Sequence, residues 1–177
     1  RRLIRRRNHH LRASLGAGPT TAPGSVTWGV DDAGIFRRAE VTALLGTGDE
    51  LWQRATHDIL RWKVKTRSGL AVADRSKVAP GAQLEITARI AGVTIREPVE
   101  VAAVVDTPTR VGFSYRTRPG HPVSGEEAFI VHRDGGNVFF TVRSLTAPAT
   151  EQPWRALYPL LRVAQIVARR RYLRTLR

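Results

Sequence analysis

The sequence predicts an α+β domain in which a curved antiparallel sheet of about six to seven strands wraps around a long C-terminal helix. Three observations predict it. Apolar residues recur at helical spacing in 46–65, and the period changes to two from Leu70 to Leu145. Turn-forming stretches divide that second region into consecutive strands. The chain then closes on a second, longer amphipathic segment.

Residues 1–24 read as a basic, flexible N-terminal extension ending in the linker "GAGPTTAPGS", and a single domain is expected over 25–177. "IFRRAEVTALL" is the first strand. "GTGDELWQRATHDILRWKVK" follows as one helix, with Thr47 and Glu50 in capping-box spacing and Trp52, Ala55, Ile59 and Trp62 as its buried face. The glycines of "GTG" accompany no strand-GxGxxG-helix or GK[ST] pattern, so they mark a helix start rather than a phosphate cradle.

"LAVADR" is a possible strand and "APGA" a turn. "QLEITARI" alternates, with Leu84, Ile86, Ala88 and Ile90 on one side, and Ala91-Gly92 turns tightly into "VTIREPVEVAAVV". Pro98 in that strand predicts a bulge or an edge position. "DTPT" leads to "RVGFSYRT", whose Val111, Phe113 and Tyr115 share a face; "EEAFIVHR" and "NVFFTVRS" form a hairpin through "DGG". Short connections make the sheet a mostly antiparallel meander. In the last segment Leu157, Leu161, Ala164, Ala168 and Tyr172 form an apolar stripe, and Pro159 sets the helix start near Leu157. This order of elements is that of the helix-grip fold. By analogy with that fold, an apolar cavity is expected between sheet and helix.

Composition narrows the functional classes. The chain has 177 residues, 42% of them hydrophobic, and no cysteine, which excludes disulfides, thiolate metal sites and cysteine nucleophiles. No apolar run approaches the roughly 20 residues needed to span a bilayer. Together these fit a cytoplasmic location. The net charge is +14, with six arginines in 1–12 and six in 162–177. Between them the remaining 17 cationic residues nearly balance 15 acidic ones. Arginine supplies 26 of the 29 cations, lysine only Lys63, Lys65 and Lys77, a skew that a GC-rich genome would produce. A solvated tail and the wet face of a helix explain the basic ends. Nucleic acid or anionic membrane is expected to bind them only weakly and nonspecifically, through Arg5, Arg6, Arg7, Arg169, Arg170 and Arg171.

"GFSYRTRPGHPVSGEEAFIV" at 112–131 is the stretch that most exceeds the needs of a hairpin. With "LGTGDELWQRATHDILRW" and "YPLLRVAQIVARRRYL", it resembles an uncharacterised bacterial and plant family, domain of unknown function nineteen-ninety (uncharacterised protein family 0548), over about residues 36–177. Gly112, Phe113, Tyr115, Thr117, Pro119, Gly120, His121, Pro122, Ser124, Gly125, Glu126 and Glu127 match that family's pattern. Arg116 stands in place of a glycine and Arg118 in place of a leucine. The resemblance implies the fold more than an activity.

Within the motif, Pro119-Gly120 turns the chain and Pro122 holds His121 extended. Adjacent Glu126 and Glu127 point to opposite faces of a strand, so they are not a paired-carboxylate catalytic site. The candidate ligand-binding residues are Tyr115, His121, Glu126, Glu127, Arg162 and Gln165. The five histidines lack metal-ligand spacing and no GxSxG elbow is present, so no metal, cofactor or catalytic residue is assigned. The expected function is binding of an apolar or amphipathic small molecule. The alternatives are an enzyme acting on a small hydrophobic metabolite through the His121/Glu127 region, and polyanion binding through the basic ends.

Overall fold

The computed structural model describes residues 20–29 and 33–177. In chain order it contains β1 (Arg37–Thr47), α1 (Asp49–Ile59), α2 (Lys63–Arg67), β2 (Ala71–Val72), β3 (Gln83–Ile90), β4 (Val93–Asp106), β5 (Arg110–Thr117), β6 (Val123–Asp134), β7 (Asn137–Pro148) and α3 (Trp154–Tyr172). The seven strands form one sheet in the order β1-β7-β6-β5-β4-β3-β2. Every neighbouring pair is antiparallel. The strands from β2 to β7 therefore form the expected meander, and β1 adds beside β7. Register breaks between Leu44 and Gly46 in β1 and between Val101 and Ala103 in β4 place an extra residue in each strand, which bends and twists it. The result is a curved sheet with a C-terminal helix, the helix-grip arrangement.

Several boundaries differ from the sequence reading, each for a physical reason. The single helix expected over 46–65 is two. Trp62 takes a left-handed conformation (φ 62°) and ends the first, because Ile59, Leu60, Trp62 and Val64 are all buried and no straight helix presents that spacing to one side. Thr47 does not cap: it is the last residue of β1, and Gly48 at φ 98° starts α1 without a side-chain cap. Ala91 and Gly92 both have positive φ, as a tight two-residue hairpin turn requires. Pro98 is not the site of the β4 bulge; it lies just beyond the last β4–β5 pair, Val99 with Thr117, and so has an edge-like position. β6 begins at Val123 rather than Glu126, shortening the connection to Arg118–Pro122. α3 starts at Trp154 and accommodates Pro159, whose missing N–H would have met the carbonyl of the exposed Arg155.

The core lies on the concave face. Phe113, Phe129 and Phe140 from the sheet share one buried cluster with Trp62, which lies edge-on to Phe113 at 4.8 Å between ring centroids. α3 reaches this core only with its end. Tyr172 is buried edge-on to Phe129 at 5.2 Å, and Leu176 follows it inside. Further back, the Tyr158 hydroxyl donates to the Thr146 carbonyl of β7 at 3.3 Å, and between that contact and the buried end α3 stands off the sheet.

Candidate functional site

That stand-off leaves a cavity of about 380 Å³ between α3 and the concave face. Leu70, Ala88 and Ile95 line it from the sheet side, and Leu161, Ala164 and Ala168 from α3. The stripe predicted on the last helix thus faces the cavity from Leu161 to Tyr172. Leu157, its first member, lies outside the lining.

A polar cluster occupies the inner end. α2 carries Lys65 into it, because the left-handed turn at Trp62 redirects the chain under the sheet. Lys65 Nζ donates to Glu127 Oε2 at 3.1 Å and to the Tyr172 hydroxyl at 2.8 Å. The Tyr115 hydroxyl donates to the same Glu127 oxygen. The ammonium also lies 5.1, 5.4 and 4.8 Å from the ring centroids of Tyr115, Phe129 and Tyr172, a cationic group enclosed by aromatic faces. Burial pulls the Lys65 pKa down, but Glu127 and the two tyrosines outweigh it and hold the ammonium well above the ordinary lysine range. Burial, followed by Glu127, raises the Tyr115 phenol, and burial against the pull of Lys65 takes Tyr172 to about 12. Both tyrosines therefore stay hydroxyl donors at neutral pH, and Lys65 stays a cation rather than an amine nucleophile.

The sequence-predicted residues divide. Tyr115, His121, Glu127 and Gln165 line the cavity. The Val123 N–H donates to His121 Nδ1 at 3.1 Å, which fixes that ring nitrogen as an acceptor. Burial, helped by Lys65, lowers the His121 pKa to about 3, so the ring is neutral. Glu126 borders the cavity, but its carboxylate is consumed on the other face of the sheet. There Oε1 accepts from Thr20 Oγ1 at 2.9 Å, Thr21 N–H at 3.0 Å and Thr21 Oγ1 at 2.5 Å. Oε2 accepts from Arg116 Nε at 3.0 Å, so the arginine that replaces the family glycine sits outside the cavity. Arg162 is exposed and does not line the cavity; one helical step carries it off the face that Leu161 and Gln165 share. Arg169 donates to Ser144 Oγ at 3.1 Å, while Arg170 and Arg171 are exposed. Arg5, Arg6 and Arg7 lie outside the described residues.

Sequence reasoning missed Lys65, Glu97 and Tyr172. A lysine kept in so arginine-rich a chain is the one signal that points to Lys65. It also missed the strap. Thr21 is fully buried, and Arg143 donates to the carbonyls of Ala22, Ser25 and Val26 at 2.8, 3.0 and 3.1 Å. Residues 20–24, expected within the extension, are thus tied to the sheet; residues 1–19 lie outside the described residues. Among the described residues, no group of three His, Asp or Glu side chains is placed to hold a metal ion.

Comparison with known proteins adds family and fold. The family described as "Domain of unknown function (DUF1990)" matches residues 9–175. The chain belongs to the DUF1990 family. The match begins well before residue 36, so it takes in the strap. A UPF0548 protein of Deinococcus radiodurans is 43% identical over 77 residues, covering 43% of this chain. The aligned segment spans only 38% of that relative's length. Among solved structures, a hypothetical protein of Helicobacter pylori superposes with a TM-score of 0.59 at 10% identity, covering 79% of this chain and 85% of its own. A Mycobacterium smegmatis protein gives 0.51 at 16% identity, covering 78% and 87%. At such identities these structures show that DUF1990 shares a fold with them, and nothing about activity.

Proposed function

We propose that the protein binds an apolar or amphipathic small molecule between α3 and the concave sheet face. The observation that carries this reading is the cavity itself. Its volume of about 380 Å³ suits a small ligand, and apolar walls lead to a few convergent polar groups. Binding is better supported than catalysis by the His121/Glu127 region. A neutral imidazole with a pKa near 3 is a weak base, and Glu127 is already held by Lys65 and Tyr115.

Native mass spectrometry and extraction of the purified protein test the reading, together with displacement of a fluorescent apolar probe. Ala164→Trp places a large side chain on the cavity wall from an exposed helical position. It should abolish probe uptake and leave the melting temperature unchanged. Unchanged uptake in this variant would remove the cavity as the site.

A further inference from the structure

The inner end of the cavity constrains what the ligand carries there. Lys65 is already balanced by Glu127, and the shared Glu127 oxygen also accepts from Tyr115. Beside Lys65, Tyr172 and Glu97 remain uncommitted. Tyr172 accepts from Lys65 and keeps its own O–H to donate. Glu97 lines the cavity but makes no hydrogen bond or ion pair with any described residue, and meets Lys65 and Glu127 only across space. Glu97 is half-buried and opens on the cavity, so a ligand that expels water there leaves its carboxyl without a partner unless the ligand supplies one.

Resting on the cavity-binding reading, we propose that the ligand ends in a neutral oxygen group, a hydroxyl or a carbonyl, which meets Glu97 and Tyr172. Charge bookkeeping separates this from the two charged alternatives. A ligand carboxylate would either displace Glu127 from Lys65 or lie unpaired beside Glu97 in a space emptied of water. A ligand ammonium would lie next to the Lys65 ammonium and would enter past Arg89, Arg169 and Arg171, which also line the cavity. A hydroxyl adds no charge: it accepts from Tyr172 and donates to Glu97. Burial pushes the Glu97 carboxyl above its ordinary range, against the pull of Lys65. Expulsion of water by an apolar chain strengthens that push, and the protonated acid also donates to a carbonyl.

The test compares decanol, decanoate and decylamine, which share a chain and differ in the head, by titration calorimetry on the full chain at pH 7. Decanol should bind at least about tenfold tighter than either charged analogue, equivalent to about 1.4 kcal/mol. Glu97→Leu should weaken decanol about tenfold while uptake of a fluorescent hydrocarbon probe persists. If Glu97→Leu fails to fold, the ranking of the three heads on the unmodified chain still decides. Tightest binding of decanoate would make Lys65 the ligand's counter-ion, and tightest binding of decylamine would give Glu97 that role; either overturns the proposal. Equal binding of all three overturns it while leaving the cavity reading intact. Failure of every amphiphile and of the probe removes the cavity reading itself.

Discussion

Lys65 is the residue on which the inner cavity turns, because it neutralises Glu127 and orders two phenols. Removing one member of a buried ion pair strands the other, at a cost of about 3–5 kcal/mol. Lys65→Met and Glu127→Gln should each approach that loss in urea unfolding, and the double variant should lose clearly less than their sum. Additive losses would show that the two side chains are not coupled. His121 sets a pH dependence. Its folded-state pKa, about 3, lies below the ordinary histidine value of 6.5, so its contribution is complete above pH 6.5 and is lost as pH falls from there towards 3. By pH 5 the loss from this group is about 2 kcal/mol. His132, also lowered, first by burial and then by Arg110 and Arg143, acts in the same direction. His121→Asn offers an acceptor to the Val123 N–H without titrating, so its stability between pH 6.5 and 5 should fall less steeply than that of the parent. Equal slopes would show that the His121 ring does not titrate against folding. At this scale alternation shows that Glu126 and Glu127 look opposite ways, while the β5–β6 register, which pairs Tyr115 with Glu127, decides which of them joins the cluster. Lys65 and Glu97 come from other elements, and no local pattern announces a tertiary meeting.

The strap at Thr20–Trp28 is the element that sequence reading hides most thoroughly. Its composition is that of a linker, yet Glu126, Arg143 and Arg110 address it chiefly through its backbone. The Pro23 carbonyl takes Arg110 Nε at 2.6 Å, and Trp28 Nε1 donates to the Thr20 carbonyl at 2.9 Å. Backbone groups are the same for every residue type, so such docking leaves little trace in composition. Thr21→Val keeps the shape and removes the hydroxyl that donates to a buried carboxylate. A loss of about 1.5–3 kcal/mol is expected, the usual range for a hydrogen bond to a charged group. Guanidinium unfolding measures it, and an unchanged midpoint would mean that the Thr21 hydroxyl adds nothing to the fold. The other elements were legible where period governs: β3 and β5 alternate in sequence, and Ala91-Gly92 and Gly135 supply the positive φ of their turns. Gly125 has a sharper cause than its turn-like context suggests. A Cβ there would lie 1.8 Å from the Leu145 carbonyl oxygen, so β6 and β7 close only around a glycine. Boundaries failed where burial outran local rules, as at Trp62.

For the whole molecule, charge and exposed apolar surface are distributed unevenly. From Gln152 to Arg177 there is no acidic residue, and Leu160, Val163 and Val167 on α3 are 68, 61 and 49% exposed. Ile90 and Val93 at the β3–β4 hairpin are exposed as well. No described helix is long and apolar enough to cross a membrane. A basic helix with uncovered apolar side chains instead has the composition of a surface-lying one. We predict weak, nonspecific polyanion binding through Arg1–Arg12 and Arg169–Arg177, with anionic vesicles preferred to RNA because only the bilayer rewards the apolar contacts. Six of the cations lie in 1–12, so deleting those residues should weaken binding without lowering the melting temperature. Such binding rests on counterion release and falls steeply with salt. Sedimentation with anionic vesicles and filter binding to RNA, each across a salt series, measure both effects. Tight RNA binding that persists at roughly 0.2 M salt, or a clear sequence preference, would reverse the ranking and make nucleic acid the partner.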